Sequence, residues 1–295
     1  SATYLKAIEA GVDIVDCALS SVSGVTSQPS LNAMASIMEG HERDAKLNIK
    51  ALNDHANYWE DVREYYYPFE SGLKAGTAEV YNNEIPGGQY SNLRQQAISV
   101  GVGEKWDTVK KNYAIVNKMF GDIVKVTPSS KVVGDMALFM TSNDYTEEDI
   151  MHPDNNISFP ESVVSLFKGD LGQAVGGFPE ELSKIVLRDV EPYTERPNAH
   201  LKPVDFEKEY EQFQRKFNKH STFLDFLSYK LYPKVYEGFY QHRVIYGDVS
   251  HIPTPAFFYG MQTYDEMTFD IEKGKAMIVK MLYKFPPNEK GMCDV

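Results

Sequence analysis

Apolar residues recur three and four positions apart through much of this 295-residue chain, the spacing that gathers them on one face of an α-helix. Trp106, Val109, Tyr113, Val116 and Phe120 form one such stripe. Tyr58, Trp59, Val62, Tyr65 and Tyr66 form another, and Val204, Phe206, Tyr210, Phe213 and Phe217 repeat it on a highly charged helix. Residues 223–240 read as one further helix, and all these stripes read as packing faces rather than cofactor boxes. The ends have other textures. Tyr4, Leu5, Ala7 and Ile8 predict a short helix over 3–10 with Gly11 as its terminal cap. Residues 12–19 read as a buried strand interrupted by Asp13 and Asp16, 20–30 as a loop, and 31–38 as a helix. Helix, strand, small-residue loop and helix are the rhythm of a β/α barrel or a doubly wound sheet. In barrels the loop after the strand is where chemistry is placed. Pro192, Pro197 and Pro203 mark 191–203 as an extended connector. Beyond Gly247 a proline-broken aromatic stretch (252–260) precedes two alternating runs, 267–271 and 276–282, around Glu272-Lys273-Gly274-Lys275. That pattern predicts a β-hairpin in a separate domain.

Composition narrows the function classes. With 42% hydrophobic residues the chain can bury a substantial core. Asp and Glu outnumber Lys and Arg 42 to 30, for a net charge of −12. The basic field that drives nucleic-acid affinity is therefore missing. No apolar run is long enough to cross a bilayer, so no membrane partner is expected. Cys17 reads as a small buried hydrophobe and Cys293 lies near the end, which is no disulfide framework and fits a reducing compartment. The seven histidines are scattered, with no His-x-His, HExxH or Cys-x-x-Cys, so no residue is assigned as a metal ligand. The chain opens without Met or a signal peptide and stops after a turn-like 286–291 stretch. A piece of a longer polypeptide is expected, with most of any barrel upstream of Ser1.

Candidate chemistry gathers at 121–135. Ile123, Val124 and Val126 run into Thr127-Pro128-Ser129-Ser130-Lys131, and a helical pattern continues through Val132, Val133, Met136 and Met140. Thr127 reads as an N-cap and Pro128 as the first helical residue. Three hydroxyls, a lysine and the N–H groups of a helix start suit a ligand with carboxylate or carbonyl oxygens. A capped core helix fits the same residues. Gly87-Gly88-Gln89-Tyr90 after Pro86 reads as a turn, with Glu84 beside it as either a supporting carboxylate or a solvated one. Residues 23–29 carry hydroxyls suited to a ligand loop or simply to a turn. Gly101-Val-Gly-Glu-Lys lacks the Lys-Ser/Thr step of a phosphate loop.

Several long motifs change the weight of these alternatives. GDIVKVTPSSKVVGDMALFM (121–140), DIVDCALSSVSGVTSQPS (13–30), EVYNNEIPGGQYSNL (79–93) and FPESVVSLFKGDLGQ (159–173) resemble, in order, the carboxyltransferase region of biotin-dependent carboxylases. That family comprises pyruvate carboxylases, oxaloacetate decarboxylase α subunits and transcarboxylases. LYPKVYEGFYQHRVIYGDVSHIPTPAFFYGM (231–261) looks most like the pyruvate carboxylase branch.

The resemblance implies transfer of CO₂ from carboxybiotin to pyruvate, giving oxaloacetate. It implies Thr127 as the proton shuttle and Gln89, Ser130 and Lys131 as biotin-binding residues. An amide such as Gln89 suits a ureido group because it both donates and accepts. The fold it implies is α/β plus mainly helical: the last β/α elements of a TIM barrel (1–40), a helical funnel (41–245) and a partial β-rich domain (246–295). Biotin would arrive on a carrier domain, a divalent metal would be held by barrel residues outside this chain, and ATP would be used by a separate biotin carboxylase domain. The parent would be a homotetramer in the cytoplasm, or in the mitochondrial matrix of a eukaryote. The closest rival is an oxaloacetate decarboxylase or transcarboxylase subunit. An assembly or regulatory segment without chemistry of its own is the alternative of another class.

Overall fold

Helical periodicity is realised along most of the chain. The structure, a computed structural model, describes residues 1–73, 75–289, 291 and 293, which form two compact units, 1–201 and 202–295.

The first unit opens with α1 (Ala2–Glu9), after which Gly11 takes the left-handed conformation (φ +104°) that ends the helix. Ser30 caps α2 (Leu31–Ile37), its Oγ accepting from the Ala33 N–H at 3.2 Å. Ile8, Met34 and Met38 bury together there, with half-buried Cys17 against them. The strand expected over 12–19 does not form. Only Ala18 pairs, in a single parallel bridge to Ser30, and Ile14 is 82% exposed. A strand needs a neighbour to take its N–H and C=O groups; here residues 29–31 supply two such bonds, both at Ala18. Val12, Ile14, Val15 and Cys17 instead edge a cleft of about 300 Å³. In α3 (Ile49–Tyr66) the aromatic stripe also departs from expectation: Tyr58, Trp59, Tyr65 and Tyr66 are exposed, and Ala56 is buried. The inward face of α3 meets α2 and residues 20–22 instead.

The main core lies among α4 (Val80–Asn83), α5 (Gly87–Ser99), α6 (Trp106–Met119), α7 (Ser129–Ser142), α8 (Glu147–Met151), α9 (Glu161–Lys168) and α10 (Glu180–Leu187). The α6 stripe behaves as its spacing predicts, with Val109, Tyr113, Val116 and Phe120 fully buried. Helix α7 packs against α5, α6 and α9. That placement explains why Val132, Val133, Met136, Ala137 and Met140 are buried on more than one of its faces. The turn expected at 87–90 is instead the first turn of α5, with Pro86 just ahead of it. Glycine is required at 87 for a different reason: a Cβ there would lie 2.7 Å from the Thr26 carbonyl oxygen.

In the second unit, Phe213 of α11 (Phe206–Lys216), Phe226 of α12 (Phe223–Leu231) and Tyr236 of α13 (Pro233–Tyr246) form the core. The single helix expected over 223–240 is broken at Tyr232–Pro233, because Pro233 has no N–H and disfavours helical backbone before it. The proline-broken stretch at 252–260 contains α14 (Thr254–Tyr259), in which Pro255 falls in the first turn, where no N–H is needed. The predicted hairpin forms: β1 (Glu266–Glu272) pairs antiparallel with β2 (Lys275–Lys280), setting Met267 opposite Val279 and Phe269 opposite Met277. Among the described residues no helix is long and apolar enough to cross a membrane.

Candidate functional site

Just past the end of α6, Gly121 and Asp122 both take positive φ (+89° and +52°), and the chain turns toward α7. Ile123 packs on the main core while Val124 and Val126 are exposed. Thr127 does not cap the helix. Helix α7 begins at Ser129 with Pro128 flanking it, and no side chain caps its N–H groups. The Ser130 N–H donates to the Val126 carbonyl, and those of Lys131 and Val132 donate to that of Pro128. The cluster of free N–H groups expected at this helix start is therefore largely spent on the chain itself. Ser129 closes the turn: its Oγ accepts from the Val126 N–H at 3.1 Å and lies 2.8 Å from the Val124 carbonyl, to which it donates. The Thr127 hydroxyl, exposed, makes no hydrogen bond among the described residues.

Thr127 lines a cavity of about 420 Å³ whose far wall is Leu171, Gln173, Val175 and Phe178. Nothing in the sequence reading assigned a role to that wall. Its signal was available in Gly169, Gly172, Gly176 and Gly177, all of which adopt positive φ and let the segment fold back on itself. Gln173 secures the turn by donating to the Tyr193 carbonyl at 2.9 Å.

Ser130, Lys131 and Gln89 do not line this cavity. Ser130 is buried, and its carbonyl accepts from the Tyr113 hydroxyl at 3.2 Å. Burial pushes the Tyr113 phenol well above its ordinary value, and the nearby Glu84 carboxylate adds to this, so the hydroxyl stays a donor. Lys131, on the exposed side, places its Nζ 2.9 Å and 2.6 Å from the two carboxylate oxygens of Asp135. Gln89, in the first turn of α5, reaches α7 one turn beyond Ser130. Its Nε2 lies where a Cβ on Gly134 would be only 2.7 Å away. That nitrogen is buried without a hydrogen-bond partner among the described residues. Three of the four expected site residues thus share the start of α7, and the fourth is brought to α7 by helix packing.

Glu84 holds the strand of chain before Thr127. With φ +58° it ends α4, and its carboxylate accepts from Lys125 Nζ at 2.8 Å and Asn117 Nδ2 at 3.0 Å. The hydrogen bond from Lys125 is the main reason its acid is held below the ordinary glutamate value, with the Lys125 charge and Asn117 assisting. Glu84 is thus paired with Lys125 and Asn117 while its side chain stays partly open to solvent, and it makes no hydrogen bond to Gln89 among the described residues. No group of three or more His, Cys, Asp or Glu side chains able to hold a metal ion occurs among the described residues.

Comparison with known proteins follows the same lines. The conserved carboxylase domain family matches residues 80–280. The pyruvate carboxylase of Bacillus subtilis (strain 168) is 50% identical over 279 residues, 95% of this chain and 24% of the relative. That of Staphylococcus aureus is 48% identical over 289 residues, 98% of this chain and 25% of the relative. The chain thus spans about a quarter of the length of these curated relatives. Among solved structures, the carboxyl transferase domain of Rhizobium etli pyruvate carboxylase with pyruvate and biocytin superposes with a TM-score of 0.93 at 48% identity, covering 99% of this chain and 49% of that one. The complete multifunctional pyruvate carboxylase from Rhizobium etli gives a TM-score of 0.92 at 48% identity, covering 99% of this chain and 29% of that one.

Proposed function

The chain belongs to the pyruvate carboxylase family, and from that premise we propose that it supplies the proton-transfer and biotin-holding side of a site that carboxylates pyruvate to oxaloacetate. The observation that carries this reading is the Thr127 hydroxyl: exposed, free of any capping duty, and lining a cavity three residues before Ser130. Biotin, when bound, supplies the carboxyl group on a ureido nitrogen. The Thr127 hydroxyl would accept a proton from the pyruvate methyl group and give its own to that nitrogen as the bond between nitrogen and carboxyl carbon breaks, the released CO₂ joining the methyl carbon, so no ionised base is needed.

Gln89, Ser130 and Lys131 would hold the biotin ring. The fit rests on Gln89, whose buried Nε2 is unpartnered, since a ureido carbonyl is an acceptor suited to it. Lys131 keeps one donor free after serving Asp135 and can meet a second ligand oxygen. We assign residues 1–40 to the end of a barrel, 41–245 to the helical subdomain, of which 202–245 lie in the second compact unit, and 246–295 to the start of the next domain. The barrel with its divalent metal, the ATP-using biotin carboxylase and the biotin carrier would be other parts of the same enzyme. Decarboxylation of oxaloacetate uses the same residues in reverse, and coupling to ATP-dependent biotin carboxylation sets the forward direction.

The test is Thr127→Ala and Thr127→Ser in the full-length biotinylated enzyme. Because Thr127 caps nothing, the alanine variant should unfold within about 0.5 kcal/mol of the parent. Its oxaloacetate formation should fall by roughly 10²–10⁴-fold, while serine restores part of the rate. ATP-dependent biotin carboxylation, measured in parallel, should be spared. Near-normal oxaloacetate formation by the alanine variant would remove Thr127 from the mechanism.

A further inference from the structure

Asp135 sits one helical turn after Lys131 and engages it through both carboxylate oxygens. The pair does little for the helix. Lys131 is the third residue of α7, where a cation opposes the helix dipole, and lysine preceding an acid by four residues is the weaker order for such a pair. The carboxylate is fixed from a second helix as well: Ser162, in the first turn of α9, donates its hydroxyl to Asp135 Oδ2 at 2.8 Å. The acid is therefore largely covered, its side chain 18% exposed, while that of Lys131 is 54% exposed. A covered, doubly anchored carboxylate thus grips an exposed ammonium. Two of the three Lys131 donors are occupied, and one remains for a ligand.

We infer that Asp135 is the positioning residue for Lys131, with Ser162 as its anchor. This inference rests on the reading of Lys131 as a biotin contact. An unrestrained lysine gives up most of its rotamer freedom when it binds. One already held by Asp135 does not, so the ligand meets a pre-ordered donor. Gly134, next to Asp135, lies against Gln89. Consecutive residues of α7 therefore set the two side chains that reach the ligand from different helices.

The experiment uses the full-length enzyme running in reverse, with oxaloacetate as carboxyl donor and free biotin as acceptor, and pyruvate release as the readout. Asp135→Asn should raise the KM for free biotin about tenfold, with the KM for oxaloacetate nearly unchanged. Ser162→Ala should shift it in the same direction by a smaller factor, and it stands in for Asp135→Asn if that variant folds poorly. The decisive measurement is the double variant. In a Lys131→Gln background, Asp135→Asn should have no further effect on biotin KM, whereas a merely structural contribution would be the same in both backgrounds. An unchanged or lowered biotin KM in Asp135→Asn and Ser162→Ala, or an additive effect in the double variant, overturns the positioning role alone. A Lys131→Gln enzyme with unaltered biotin KM overturns the reading of Lys131, and the role of Asp135 with it.

Discussion

Gly134→Ala puts one methyl group into the contact between α5 and α7. The new carbon would lie 2.7 Å from Gln89 Nε2 and 2.9 Å from Leu93 Cδ1. Leu93 is fully buried and has nowhere to go. Gln89 is half-buried, and its amide is the far end of a flexible side chain, so it is the group that yields, by about 0.7 Å to regain ordinary contact. Two stability effects oppose each other. Alanine gains about 1 kcal/mol over glycine inside a helix, and overpacking costs about 1–3 kcal/mol. The sum runs from no change to about 2 kcal/mol of destabilisation. If Gln89 holds biotin as proposed, misplacing its amide forfeits one hydrogen bond worth about 0.5–1.5 kcal/mol, or roughly a two- to tenfold rise in the KM for free biotin. The substrate that does not touch Gln89 should be unaffected. Thermal unfolding and the oxaloacetate–biotin assay measure the two effects on the same preparation. Stability raised by the full helix-propensity gain, with an unaltered biotin KM, would show that no close contact exists at Gly134 and refute the reasoning.

Gly87→Ala should destabilise by about 1–2 kcal/mol, because its methyl would meet the Thr26 backbone oxygen at 2.7 Å and backbone cannot swing aside. Gly88→Ala is the control, with nothing within 4 Å of its Cβ, and should be neutral or slightly stabilising; equal melting temperatures for the two variants would contradict the loop contact. Glu84 is held below its ordinary pKa chiefly by the Lys125 hydrogen bond, so its contribution is present above the unfolded glutamate value of about 4.3 and is lost as pH falls through the folded value. With the Glu84 side chain 43% exposed, the contribution is at most about 1 kcal/mol. Glu84→Gln should therefore melt lower than the parent at pH 7 and converge with it toward pH 3, and a gap independent of pH would rule out the ion pair as its cause.

Local pattern sufficed wherever an element's partners lie close in the chain. The α6 stripe, the short helix ended by Gly11, the α2 start at Ser30 and the hairpin around Gly274 all follow from spacing and turn chemistry. Helices and hairpins satisfy their backbone groups within a few residues, so sequence carries their full specification. Periodicity misled where a fate depends on distant neighbours. The apolar run 12–19 has the composition of a strand but pairs only at Ala18, and the aromatic stripe of α3 has the spacing of a packing face but lies exposed.

The site divides in the same way. The proposed residues Thr127, Ser130 and Lys131 are near neighbours in the chain, so their grouping is visible in the sequence, and the spacing of Lys131 and Asp135 was there to be read as an i, i+4 pair. The missing N-cap at Thr127 was not legible, because Ser129 competes for the same turn and wins through its bonds to Val124 and Val126. Only the packing of α5 on α7 brings Gln89 to Gly134, and only the packing of α9 on α7 brings Ser162 to Asp135. Likewise the wall at 171–178 faces Thr127 only because the glycines after α9 turn the chain back. Sequence alone determined that Thr127, Ser130 and Lys131 lie within five residues of one another, since that is a matter of order along the chain. The tertiary structure decided which of them meet, because distances between helices are set by the summed packing of the whole core and appear in no local pattern.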